Sequence, residues 1–117
     1  MKLSELTETL EATFISGEDL KDITFDKVGA SDLMSDILAA LSEDGILLTG
    51  LATVQVVNTA LIAGVRAIVF VRNKQPSPGV IEMARNHEMP MLTTRYSMFV
   101  SCGRLYASGL TGLNGAR

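Results

Sequence analysis

Three short apolar runs, Gly45-Ile46-Leu47-Leu48-Thr49, Ala67-Ile68-Val69-Phe70-Val71-Arg72 and Pro90-Met91-Leu92-Thr93-Thr94, each lead into a helix-length segment whose apolar residues recur three and four apart. Strands that are apolar throughout are covered on both faces, and helices alternating with them are the crossovers of a parallel sheet. The expected fold is therefore α/β, a small and mostly parallel sheet built from βαβ units with flanking helices. In such a sheet the loops at the carboxyl ends of the strands collect along one edge, where ligands bind.

The pattern continues outward from these runs. Leu3, Leu6 and Leu10 recur three and four apart among Ser4, Thr7 and acidic residues, which predicts a short helix lying across the sheet. Thr13-Phe14-Ile15-Ser16 alternates and stops at Gly17, and residues 23–28 alternate again before Gly29; both read as short edge strands. Ser31-Asp32 is placed to cap a helix with apolar positions Leu33, Met34, Ile37, Leu38 and Leu41. Residues 53–63 set Val56, Val57, Ala60 and Leu61 on one helical face despite a valine content that favours strand, with Gly64 placed to end the helix in a left-handed turn. Ser77-Pro78 supplies a cap and a first-turn proline for a helix running to about His87. Thr94 is the expected cap of a last helix with a buried stripe of Tyr96, Phe99, Cys102, Leu105 and Tyr106. Residues 1–110 then form one domain, and 111–117, with Gly112 and Gly115, read as a flexible tail.

Composition narrows the function. At 117 residues and 47% hydrophobic, the chain can build one core without disulfides or metal. A net charge of -3 and a pI near 5.0 provide no field for a phosphate backbone, so no nucleic-acid partner is expected. No apolar run approaches the roughly 20 residues a bilayer requires, so no membrane partner is expected either. The single Cys102 and the polar, acidic start of the chain suit the reducing cytoplasm. Six methionines, four of them Met83, Met89, Met91 and Met98, and a mean hydropathy of +0.28 suit an adaptable contact surface and a homodimer.

The chemistry-bearing residues offer no catalytic set. There is no phosphate loop, no dinucleotide fingerprint and no cluster of cysteine or histidine at ligand spacing, so neither a metal nor a cofactor is expected. His87 suits the last turn of a helix, where it complements the dipole, and Cys102 suits a buried apolar position. The positive signal lies at the strand ends. Thr49, Gly50, Arg72, Asn73, Lys74, Thr94 and Arg95 should meet along the carboxyl edge beside helix N-termini, which favours an anionic metabolite or nucleotide. The alternative is that these cations are solvated or paired with nearby acids. Ser31 and Asp32 belong to the same edge; a carboxylate at Asp32 could meet the ligand, or could answer the dipole of the helix it precedes.

Residues 31–110 resemble the DRTGG domain, most closely its small stand-alone members. The likeness lies in Ser31-Asp32-Leu33-Met34-Ser35-Asp36-Ile37, in the loop and helix 76–84, in Met89-Pro90-Met91-Leu92-Thr93-Thr94 and in Gly103-Arg104-Leu105-Tyr106. The leading segment 3–20 looks like the opening of the N-terminal domains of HPr kinase/phosphorylase and Mur ligases, which share a related α/β fold. The residues that name the family are missing where they should fall: its Asp-Arg pair is Leu51-Ala52 here, and its Thr-Gly-Gly is Val71-Arg72-Asn73. The resemblance implies a non-catalytic regulatory or assembly domain that tends to self-associate. Such domains are often joined to phosphotransacetylases, CBS-type pyrophosphatases or kinases, and stand-alone forms look like accessories of anaerobic redox and hydrogenase systems.

Overall fold

The three apolar runs form the centre of a six-stranded sheet in the computed structural model, which describes residues 1–39 and 45–113. In chain order the elements are α1 (Leu3–Thr9), β1 (Thr13–Ser16), β2 (Lys27–Ala30), α2 (Met34–Ala39), β3 (Gly45–Thr49), α3 (Val54–Ala63), β4 (Ile68–Phe70), α4 (Pro78–Asn86), β5 (Met91–Thr93), α5 (Met98–Ala107) and β6 (Thr111–Gly112). Every residue of β3, β4 and β5 is buried, as doubly covered strands require.

The strand order is β1-β5-β4-β3-β2-β6, with β1 antiparallel to β5 and every other pair parallel. From β2 to β5 the chain advances across the sheet in one direction, so consistent crossover handedness puts α2, α3 and α4 on one face. There they pack on Leu47, Ile68, Phe70 and Met91. The alternate residues Ile46, Leu48, Val69 and Leu92 face α1 and α5, with Leu3, Leu6 and Leu10 wholly buried. Gly64 caps α3 in the left-handed conformation (φ 78°), as expected.

Several expectations need correction. The second strand lies at Lys27–Ala30 rather than 23–28, and it is interior, because β6 pairs with its outer side. Gly29 does not end it: a Cβ there would stand 2.6 Å from Leu113 Cδ1, so the glycine makes room for a side chain packed over the strand. The tail expected from residue 111 begins as β6, after a buried Leu110; residues 114–117 lie outside the described residues. The last helix starts at Met98 with Ser97 as its cap, accepting from the Val100 N–H at 3.2 Å, and not at Thr94. Its sheet-facing side is Met98, Ser101, Cys102 and Leu105, whereas Phe99 and Tyr106 are 87% and 76% exposed. The helix expected after Ser31-Asp32 occupies Met34–Ala39, and its expected last apolar position, Leu41, lies outside the described residues.

Candidate functional site

Register brings the strand ends together. Thr49 is level with Phe70 and Phe70 with Thr93, and the ladder continues through Ser31 N–H to Leu48 O (3.1 Å), Val71 N–H to Thr49 O (3.0 Å) and Thr94 N–H to Phe70 O (2.9 Å). The four turns after β2, β3, β4 and β5 therefore stand side by side, as the sequence led us to expect.

Asp32, Thr49, Gly50 and Arg72 form the tightest group on this edge. Ser31 Oγ accepts from the Leu33 N–H (3.0 Å), a local turn that leaves Asp32 facing the turn after β3. Asp32 Oδ1 accepts from the Gly50 N–H at 2.6 Å and from Thr49 Oγ1 at 3.0 Å, the short first distance being typical of a charge-assisted bond. Thr49 Oγ1 in turn accepts from the Leu51 N–H (3.2 Å). Asp32 thus ties the turn after β3 and is not spent on the dipole of α2. Above the same turn lies Arg72: a Cβ on Gly50 would stand 2.8 Å from Arg72 Nη2 and 3.4 and 3.5 Å from Asp32 Oδ2 and Oδ1. Only glycine leaves that approach open. The first N–H groups of α3 follow the same turn; Thr53 takes the one on Val56, with its carbonyl at 3.2 Å and its Oγ1 at 3.4 Å.

The backbone under Arg72 is unusual. Arg72 and Asn73 have φ 56° and 57°, two successive non-glycine residues in the left-handed region. The resemblance set a glycine pair at these two positions, and a positive φ is a conformation that glycine takes without a Cβ penalty. The loop is held by Arg72 N–H to Tyr96 O (2.9 Å), Asn73 N–H to Thr94 O (2.8 Å) and Thr93 Oγ1 to Lys74 O (3.0 Å). Because α4 and α5 leave β4 and β5 for opposite faces, a ligand crevice is expected between those strands. The two backbone bonds close it, and the open polar surface shifts toward β3. Among the described residues the side chains of Arg72 and Lys74 make no hydrogen bond or ion pair.

Two expected members do not join. Thr94 is 1% exposed, its hydroxyl donating to Leu10 O (2.6 Å) and accepting from the Tyr96 N–H (3.3 Å), so it fastens α1 to the sheet. Arg95 turns to the opposite face, where it pairs with Glu11 at 3.1 Å and lies 4.7 Å from the centre of the Tyr96 ring. Arg104 covers the same ring at 4.3 Å, and the Tyr96 hydroxyl donates to Glu11. Sequence reasoning missed this clasp, since residues 84 and 85 positions apart carry no local signal of contact.

It also missed two largely apolar hollows, one on each face of β2. One, of about 280 Å³, is lined by Ile37, Ile46, Leu47, Ala63, Val65 and Leu113. The larger, of about 490 Å³, runs along α5 between Phe99, Cys102, Tyr106, Val28 and Leu110. The sequence set Phe99 and Tyr106 in one buried stripe with Cys102 and Leu105, and only packing separated them. Burial raises the Cys102 pKa, keeping it a thiol. Among the described residues, no cluster of histidine, cysteine or acidic side chains is placed to hold a metal, and no helix is long and apolar enough to cross a membrane.

These features define an α/β domain with an open polar carboxyl edge. The chain belongs to the DRTGG domain family, whose model matches residues 5–108. It is also similar to the solved CBS and DRTGG domains of the regulatory region of Clostridium perfringens pyrophosphatase, complexed with its activator, diadenosine tetraphosphate. The TM-score is 0.74 at 22% identity over 93% of this chain. This chain spans about half (47%) of that one, and the likeness shows the fold. No curated protein matches the sequence.

Proposed function

We propose that the protein is a non-catalytic regulatory domain that binds a small anionic ligand, a metabolite or nucleotide, at the carboxyl edge of its sheet. The observation that carries this reading is the Arg72 guanidinium, uncommitted among the described residues and held above Gly50 beside Asp32. Lys74, the Asn73 side chain and the first N–H groups of α3 add donors along the same edge. The nucleotide activator bound by the C. perfringens regulatory region supports the ligand class by analogy of fold. Regulation without catalysis agrees with a Cys102 thiol held protonated by burial and with an exposed His87 at the far end of α4. A free thiol suits the reducing cytoplasm.

Thermal shift against nucleotides, sugar phosphates and acyl phosphates tests the proposal. A ligand at 100 times its dissociation constant adds about 2.7 kcal/mol of stability. A panel that leaves the melting temperature unmoved at millimolar concentration overturns it.

A second reading, a homo-oligomeric interaction or accessory module, is favoured by a separate observation. Phe99 and Tyr106, 87% and 76% exposed, flank the apolar hollow along α5. Large exposed aromatics around an apolar groove are a common form of protein interface.

A further inference from the structure

We infer that the carboxyl edge selects anions that carry hydroxyl groups near the charge, as sugar phosphates and nucleoside monophosphates do, over anions without them, and that Asp32 makes the selection. The inference rests on the reading of this edge as an anion site. Arg72 Nη2 and both Asp32 oxygens converge on the same side of Gly50, within 2.8 to 3.5 Å of the place a Cβ would take. The two charged groups nonetheless form no ion pair with each other. Asp32 Oδ1 is committed to the Gly50 N–H and Thr49 Oγ1, whereas Oδ2 has no hydrogen bond among the described residues. A carboxylate oxygen only accepts, so the exposed Oδ2 is open to a donor from a bound molecule. An anion lacking one would bring its charge against the carboxylate whenever it engaged Arg72. An anion with a neighbouring hydroxyl satisfies both groups at once, converting a repulsion into a hydrogen bond. The simpler account, that Asp32 only secures the turn after β3, is separable from this one. Asparagine offers an oxygen to the same Gly50 and Thr49 donors and puts a neutral NH2 donor in place of the charged, accepting Oδ2.

Calorimetric titration of the whole chain with methyl phosphate, ribose 5-phosphate and AMP decides the matter. In the wild type, ribose 5-phosphate and AMP should bind about tenfold more tightly than methyl phosphate, and Asp32→Asn should shrink that ratio to about threefold or less by strengthening methyl phosphate binding. Arg72→Gly should weaken all three by about tenfold or more, with a melting temperature equal to or above the wild type, because glycine takes φ 56° without a Cβ penalty. Equal affinity for methyl phosphate and ribose 5-phosphate, or a ratio untouched by Asp32→Asn, overturns the selection and leaves the anion site standing. Binding of none of the three, or undiminished binding by Arg72→Gly, overturns both.

Discussion

Arg72 and Asn73 show most directly how single residues depart from their local preferences. A left-handed residue other than glycine costs about 1–2 kcal/mol, and asparagine is among the few that adopt the conformation readily. Asn73 therefore suits its backbone by residue type, whereas Arg72 does not. Its conformation is imposed by the bonds to Tyr96 and Thr94 across the β5 turn. Cys102 is the second instructive residue. Half-buried against the α5 side of the sheet, its thiol has a pKa raised by desolvation. A raised folded-state value means that the native protein holds the proton more tightly than the unfolded chain. The corresponding stability is complete below the unfolded thiol value, about 8.5, and is lost as pH rises through the folded one. Melting curves between pH 7 and 10 should show wild type losing stability relative to Cys102→Ala only at the alkaline end. A parallel course throughout would contradict the burial argument.

At the scale of elements, α1 was legible because three leucines at helical spacing need no distant information to define a face. All three are wholly buried against Ile46, Leu48, Val69 and Leu92. Thr94 reinforces the seating through its bond to Leu10 O, 84 positions away. Leu6→Ala should lower stability by about 2–5 kcal/mol, measured by urea or thermal unfolding, since the cavity lies between a helix and a sheet that cannot collapse onto each other. Glu8→Ala, on the exposed side of the same helix, should stay within about 0.5 kcal/mol. The strand β2 was read less well, because its glycine looked like a terminator. What Gly29 does depends on Leu113, which follows the last strand and reaches it only in the folded chain.

At the scale of the whole molecule, the sheet buries its two faces unequally. The face under α2, α3 and α4 is covered by three successive crossovers, while the other relies on α1 and α5. The outer side of α5 leaves Phe99 and Tyr106 in solvent beside the 490 Å³ hollow. If this is where copies of the chain meet, light scattering at micromolar concentration should give a dimer for the wild type and a monomer for Phe99→Ser. The melting temperature of the variant at high dilution should change little, because Phe99 supports nothing within the monomer. A monomeric wild type would remove the oligomeric reading and leave the ligand site untouched.

The sequence by itself determined the parallel sheet, the helices between its strands and the edge to which the strand ends run. Apolar period, capping serines and helix-ending glycines act over a few residues, and the rules of strand connection then leave few topologies. Tertiary structure alone decided which turn residues share a site. Asp32 meets Gly50 across 18 positions, Thr94 is withdrawn to Leu10, and Arg95 is drawn to Glu11 on the other face. It also decided which stripe of α5 turned inward, since Met98, Ser101, Cys102 and Leu105 fit against the sheet where two large rings at Phe99 and Tyr106 were left outside. Those outcomes depend on shape and hydrogen-bond partners supplied by distant segments, information that no window of neighbouring residues contains.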